Sequence, residues 1–120
     1  MLEFREDYWE DSNWASIEIT PIDLAYLPKI LLHLGTTFGL GLSEIVDIVD
    51  GYVVDFVILG SPARVHIDNW FFSIGFEDEA VRDEILTELQ SVPVSHFETH
   101  TSKASIKNLP GLDGAWLKDG

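Results

Sequence analysis

The sequence predicts an α+β domain: helices on one face of an antiparallel sheet of about five strands, in the order β-α-β-β-β-β-α. Three observations predict it, namely a strong hairpin signal in mid-chain, several short runs of alternating apolar and polar residues, and an amphipathic helix after these runs. A length of 120 residues, 46% of them hydrophobic, fits one folded domain. We expect the domain to span residues 1–92 and residues 93–120 to form an extended, partly flexible tail.

The first predicted elements are a strand and a helix. Apolar and polar residues alternate over residues 14–20, which is typical of a half-buried strand. Thr20-Pro21-Ile22-Asp23 then has the composition of a helix start, with a hydroxyl cap and a proline in the first turn. Pro28 predicts a kink or a late start in this helix. The glycines at 35, 39 and 41 predict a helix cap and a turn rather than a phosphate-binding loop, because no lysine follows them.

The centre of the chain predicts a four-stranded antiparallel meander. The runs "EIVDIV" and "YVVDFVIL" flank Asp50-Gly51, a strong two-residue hairpin turn. With that turn, Val46 faces Asp55 and Asp47 faces Val54, so each face of the sheet receives one aspartate. The runs "ARVHI" and "WFFSIGF" add two strands, and the aromatic residues of the latter, Trp70, Phe71, Phe72 and Phe76, are expected to fill the core.

A second helix is predicted over residues 77–92. Glu77, Asp78 and Glu79 lie at its electrically positive end. Its apolar stripe consists of Val81, Ile85, Leu86 and Leu89. Pro93 ends it, and the residues that follow are rich in Ser, Thr, Gly and Lys.

The net charge of the chain makes some classes of binding partner unfavourable. The formal net charge is −14, and the first 90 residues hold 18 acids against four bases. Such a surface disfavours direct contact with nucleic acid and with acidic lipids. The absence of cysteine removes disulfides and thiolate chemistry, and no apolar run reaches the roughly 20 residues that span a bilayer. We therefore expect a soluble cytoplasmic protein.

No catalytic motif connects the four histidines. His66 and Asp68 fall on one strand face at a spacing usable for acid–base chemistry, but an exposed strand face explains them equally well. His96 and His100 have the i, i+4 spacing of a zinc pair without an evident third ligand, and His33 in a leucine-rich helix is expected to be structural. We predict no catalytic residue, no metal site and no cofactor.

An acidic and aromatic stretch, "REDYWEDSNW", occupies residues 5–14. Its rings either pack on the body of the domain or anchor an interface, in which Tyr and Trp are enriched. In the second case the acids steer a basic partner and the rings hold it. The predicted partner contacts are Asp7, Tyr8, Trp9, Glu10, Asp11 and Trp14, followed by Glu44, Asp47, Asp50 and Asp55 on or beside the hairpin.

The segment "DYWEDSNWASIEI", residues 7–19, resembles the start of small bacterial immunity proteins of toxin–immunity systems, including those of contact-dependent growth inhibition. The size, the acidity and the α+β layout fit the same resemblance. It implies a non-enzymatic inhibitor that binds the C-terminal domain of a cognate toxin and blocks its active site or substrate groove. Many such toxins are basic nucleases.

Two other functions remain open at this point. One is a small ligand-binding or enzymatic domain that uses His66 and Asp68 in a pocket. The other is an acidic mimic of nucleic acid that acts on a host or phage enzyme. The mimic shares its electrostatics with an immunity protein and differs only in its target. The sequence does not indicate an oligomeric state.

Overall fold

The computed structural model describes residues 2–98, which form one six-stranded antiparallel sheet and three helices. The strands are β1 (Glu3–Tyr8), β2 (Ala15–Thr20), β3 (Gly41–Ile48), β4 (Gly51–Ile58), β5 (Ser61–Ile67) and β6 (Phe72–Phe76). The helices are α1 (Tyr26–Phe38), α2 (Glu79–Ser91) and α3 (Val94–Glu98). The strand order across the sheet is β1-β2-β6-β5-β4-β3. This architecture confirms the predicted α+β class and the predicted meander.

The sheet has one strand more than expected, because β1 was not predicted. Its sequence, EFREDY, holds four charged residues in six positions and lacks a regular apolar alternation. Phe4 is the buried residue of this strand, and it lies opposite Ile19 of β2. A strand at the edge of a sheet needs one apolar row at most, and its charges discourage pairing with another chain. The charged residues of β1 interrupt the apolar alternation by which a strand is predicted from sequence.

Helix α1 begins six residues after Thr20, so the predicted helix cap at Thr20 is wrong. The helix starts at Tyr26, whose backbone N–H donates to the Asp23 carbonyl at 3.0 Å. Pro28 consequently falls in the first turn, where its missing N–H costs no helical bond. Gly39, at φ +82°, ends the helix in a conformation that glycine adopts easily. The predicted late start is confirmed, and the predicted glycine cap is confirmed for Gly39 alone. Gly35 lies inside α1, and Gly41 begins β3.

The β3–β4 hairpin forms where expected, but its turn is Val49-Asp50 rather than Asp50-Gly51. Gly51 already pairs with Ile48, and a Cβ at Gly51 would lie 1.8 Å from the Ile67 carbonyl oxygen. The glycine is thus needed for a close strand approach, not for the turn. The pairing differs by two residues from the prediction, so Glu44 rather than Val46 faces Asp55. A shift of two keeps Asp47 and Asp55 on opposite faces of the sheet, as predicted. The register changes again between Leu42 and Glu44, at the start of β3.

The apolar core lies between the helices and one face of the sheet. Buried side chains alternate along β4 and β5, where Val54, Phe56 and Ile58 lie beside Ala63, Val65 and Ile67. Buried apolar residues from all three helices join the same cluster. We call this side of the sheet the covered face. The other side, the open face, carries Glu18, Asp55, Arg64, His66, Ser73 and Gly75 among others.

Phe72 and Phe76 are buried in the covered face as predicted, but the same prediction is wrong for Trp70 and Phe71. Trp70 is 83% exposed and Phe71 is 36% exposed. Both belong to the connection between β5 and β6, where the Asp68 carboxylate accepts the Trp70 backbone N–H at 2.8 Å. An aspartate side chain that accepts the backbone N–H two residues later stabilises a turn. The turn at Asp68 therefore places Trp70 and Phe71 before the start of β6.

Helix α2 confirms the second predicted helix, with Asp78 as its cap. The Asp78 carboxylate accepts the backbone N–H of Ala80 at 2.9 Å, which satisfies one of the free donors of the first turn. Helix α3 lies within the range predicted as a tail, and its Phe97 is fully buried against Phe4 at a ring distance of 5.7 Å. The rest of that predicted tail lies outside the described residues.

Within residues 2–98, no helix combines the length and apolarity needed to cross a membrane.

Candidate functional site

A groove with a volume of about 740 Å³ lies over the open face. Its floor is formed by β2, β5 and β6, and one wall is the β1–β2 connection, residues 9–14. We call this connection the indole loop. The groove is lined by Asp7, Tyr8, Trp9, Glu10, Asp11, Ser12, Trp14, Glu18, Arg64, His66, Asp68, Phe71 and Ser73. Every predicted contact from the opening stretch is therefore brought to one concave surface.

The indole loop is closed at its base by backbone hydrogen bonds. The Trp9 N–H donates to the Trp14 carbonyl at 2.9 Å, and the Asn13 N–H donates to the Trp9 carbonyl at 2.8 Å. Asn13 has φ +64°, a left-handed conformation that asparagine tolerates better than most residues. The loop is consequently a defined turn that returns the chain from β1 to β2.

Trp9 is fixed against the sheet. Its indole N–H donates to the Ser73 hydroxyl at 2.9 Å, and its six-membered ring lies over Gly75. A Cβ at Gly75 would lie 2.6 Å from that ring, so this position of β6 has room for the indole because it lacks a side chain. The glycine within the run "WFFSIGF" was the sequence signal of this close approach.

Trp14 stacks on Trp9, with ring centroids 6.1 Å apart and planes 4° from parallel. Both indoles are half-buried. The packing of Trp9 on the sheet agrees with the first alternative left open by the sequence. Both indoles also line the groove, and their role as interface anchors stays a prediction. The stack presents a rigid aromatic surface whose conformation does not need to be fixed on binding.

A buried arginine on the covered side of the sheet binds the backbone of Asp7 and Ser16, which flank the indole loop. Arg82 of α2 is 0% exposed, and its guanidinium donates to the carbonyl oxygens of Asp7 and Ser16, both at 2.8 Å. Its Nε also donates to Asp83 at 2.8 Å. Burial acts to lower the pKa of Arg82, but the bonds to Asp83 and Tyr8 outweigh burial and raise it. No pattern in the sequence predicted that this arginine would be interior.

Tyr8 takes part in the same arrangement. Its hydroxyl donates to Glu79, which raises the pKa of Tyr8, and the Arg82 guanidinium lies 5.0 Å from its ring centroid. The ring is 45% exposed. Tyr8 thus binds α2, and of the three aromatic residues predicted as contacts it is the one that is engaged mainly on the covered side.

The two basic side chains among the described lining residues, Arg64 and His66, already have carboxylate partners. Arg64 binds Asp55 through two hydrogen bonds of 2.6 and 3.2 Å. His66 Nε2 lies 2.9 Å from Asp68 Oδ2, and this bond, with that from the Trp70 N–H, lowers the pKa of Asp68. By contrast, Asp7, Glu10 and Asp11 have no ion pair among residues 2–98. The groove is therefore net negative at its loop wall.

The four predicted contacts on the hairpin do not line the groove. Glu44 and Asp55 face each other on the open face, and Asp55 is held by Arg64. Asp47 faces Tyr52 on the other side of the sheet. Asp50 lies in the hairpin turn and accepts a hydrogen bond from Asn69 at 3.0 Å. The four acids thus lie in three different places, namely the open face, the covered face and the hairpin turn.

The remaining histidines of the described chain belong to the helix layer. His33 Nε2 lies 2.7 Å from Glu88 Oε2 and joins α1 to α2, in agreement with its expected structural role. The His33 and His96 rings are in contact at 5.0 Å. No group of three or more potential ligands for a metal ion is found in residues 2–98, and His100 lies outside that range.

No family model matches the chain, and no curated protein or solved structure matches it either. What the groove binds is therefore inferred from its own residues. Tryptophans such as those of the Trp9–Trp14 stack are enriched among the anchor residues of protein interfaces. The carboxylates that form no ion pair within residues 2–98 add negative charge beside the stack.

Proposed function

We propose that this chain is an immunity protein: it binds the C-terminal domain of a cognate toxin in the cytoplasm and blocks its active site or substrate groove. The observation that carries the proposal is the open-face groove, where the acids and indoles of the opening stretch are brought together. The resemblance of residues 7–19 to immunity proteins points the same way. The proposal requires no enzymatic activity and no cofactor.

The charges of the groove support a basic partner. Five carboxylates line it, those of Asp7, Glu10, Asp11, Glu18 and Asp68, and the net charge of −14 extends the negative field beyond it. Such a field accelerates association with a basic protein and weakens as salt screens it. A basic nuclease domain, whose substrate path must attract phosphates, is the toxin class that best fits this field.

The exposed end of the sheet enlarges the candidate surface. Trp70 and Val49 are both highly exposed, and Asn69 joins their two turns through its hydrogen bond to Asp50. Phe71 connects this end to the groove, since it lines the groove itself. Exposed aromatic residues beside a polar rim are the kind of anchors that dominate binding energy in protein interfaces.

The direct test is complex formation with the toxin domain encoded beside this gene. We expect a complex of one toxin domain per chain at low salt, loss of toxin activity in the complex, and slower association as salt rises. Glu10→Lys should weaken binding strongly. Glu84→Lys, the same charge change on the exposed side of α2, is the control and should have a much smaller effect. Absence of a complex at low salt would refute the proposal.

A second candidate function is a small ligand-binding or enzymatic site, because His66 and Asp68 are hydrogen-bonded and both line the groove. A carboxylate that orients an imidazole is an arrangement used in acid–base catalysis. This candidate predicts turnover of a small substrate that His66→Ala abolishes and that Thr87→Ala, on the exposed side of α2, leaves intact. Inhibition of the toxin by the His66→Ala variant at wild-type strength would favour the immunity function instead.

A further inference from the structure

Among the lining residues that the structure describes, the indole-loop wall of the groove includes no basic side chain. Glu10 and Asp11 are exposed on the loop and form no ion pair within residues 2–98. Arg64, the arginine that lines the groove, is occupied by the bidentate contact with Asp55. The carboxylates of this wall therefore have no cationic partner within residues 2–98.

The neighbouring aromatic surface restricts which cation fits. Trp9 is held by Ser73 and Gly75, and Trp14 is parallel to it within 4°. A planar guanidinium stacks on such rings and can bind carboxylates at its edge at the same time, whereas the ammonium of lysine is a more strongly hydrated point charge. Arg82 already shows this combination elsewhere in the molecule, over the Tyr8 ring and against Asp83.

We propose that the groove binds an arginine side chain of the partner, with its guanidinium on the Trp9–Trp14 stack and its N–H groups directed to Glu10 and Asp11. This inference rests on the proposed function for the identity of the partner, but the contact itself is a property of the groove. The volume of about 740 Å³ exceeds that of one side chain, so the flanking residues of the partner also enter. Bound arginine would satisfy the unpaired carboxylates and cover the two half-buried indoles.

The test is an NMR titration of the full chain with three amino-acid amides: N-acetyl-arginine amide, N-acetyl-lysine amide and N-acetyl-citrulline amide. Citrulline is the uncharged counterpart of arginine and has nearly its shape. We expect the indole N–H signals of Trp9 and Trp14 to shift with a dissociation constant on the order of 1 mM for arginine. Lysine should bind at least fivefold more weakly, citrulline should produce no saturable shift, and the exposed Trp70 should remain unchanged.

Matched variants identify the carboxylates. Glu10→Gln with Asp11→Asn should weaken arginine binding at least tenfold, and Glu77→Gln with Glu84→Gln, which removes the same charge outside the groove, should leave it within twofold. Equal affinity for arginine and citrulline, or equal losses in the two double variants, would overturn the proposed contact. A shift confined to Trp70 would overturn it as well.

The two proposals fail separately. If the toxin domain binds but the indole N–H signals of Trp9 and Trp14 do not shift on addition of N-acetyl-arginine amide, the immunity function stands and the arginine contact is wrong. If arginine binds as expected but the toxin domain forms no complex, the groove chemistry stands and the immunity function is wrong.

Discussion

The two faces of the sheet carry their charges in different ways. On the covered face, Arg82 is fully buried, and its donors are satisfied by backbone carbonyls and by the carboxylate of Asp83. On the open face, carboxylates outnumber basic side chains, and Asp7, Glu10 and Asp11 form no ion pair within residues 2–98. The acids that make up the net charge of −14 therefore differ in their surroundings and in what they contribute to the protein. Some acids hold the fold together, whereas others are available to a second molecule.

The comparison is tested first with two aromatic residues that are two positions apart. Phe72→Ala should lower the free energy of unfolding by about 3–5 kcal/mol, because the ring is buried in the covered face. Trp70→Ala should change it by less than about 0.5 kcal/mol, because the indole is mostly in water. Urea denaturation measures both values. A large loss of stability for Trp70→Ala would mean that this end of the sheet is packed rather than exposed.

The second prediction compares two arginines. Arg82→Ala should lower the free energy of unfolding by about 2–4 kcal/mol, since it leaves the carbonyls of Asp7 and Ser16 without their donor and opens a cavity. Arg64→Ala should cost only about 0–1 kcal/mol, because the Arg64 side chain is about half exposed and its pair with Asp55 is solvated. Thermal or urea unfolding distinguishes the two. Equal losses would contradict the assignment of the charges to different roles.

The third prediction concerns the support of the indole stack. Gly75→Ala should displace Trp9 and lower the free energy of unfolding by about 1–2 kcal/mol, because the new methyl group overlaps the indole. Gly41→Ala is the control, since a Cβ there comes no closer than 3.9 Å to its nearest neighbour. We expect the Trp9 indole N–H signal to move in the first variant and not in the second. An unmoved signal in Gly75→Ala would show that Trp9 does not depend on this glycine.

The smallest expected effect is on the acid side of the stability curve. The pKa of Asp68 is lowered by the bond from His66, so the charged carboxylate stabilises the folded state above the ordinary carboxyl pKa of about 4. That contribution is lost as the pH falls through the lowered pKa of the folded state. His66→Ala should move the carboxyl titration of Asp68, followed by carbon-13 NMR, towards its ordinary midpoint. An unchanged midpoint would assign the lowered pKa to the Trp70 backbone N–H instead.

The parts of the fold that could be predicted depend on local patterns. The hairpin, the meander and the stripe of α2 each follow from periodicity within a short window. Strand β1 could not be found in this way, because an edge strand with one buried residue leaves almost no periodicity. The turn position was also missed, since the reason for Gly51 is the carbonyl of Ile67, which is distant in sequence.

The candidate site was predicted in part for the same reason. The opening stretch was recognisable because its unusual composition is continuous in sequence, and all of its predicted contacts line the groove. The floor of the groove comes from β5 and β6, so Arg64 and Ser73 became identifiable only when the strand order was known. His66 and Asp68 were visible from their spacing, but their proximity to the indoles was not.

The position of Arg82 has a consequence for any attempt to use residues 5–14 by themselves. The stretch looks like a portable recognition peptide, since it is short, acidic and rich in tryptophan. Its orientation, however, depends on the Arg82 guanidinium, which is 75 residues from Asp7 in sequence, and on a serine and a glycine of β6. A synthetic decapeptide would keep the composition and lose the shape, so a useful mimic must transplant the sheet and α2 along with the loop.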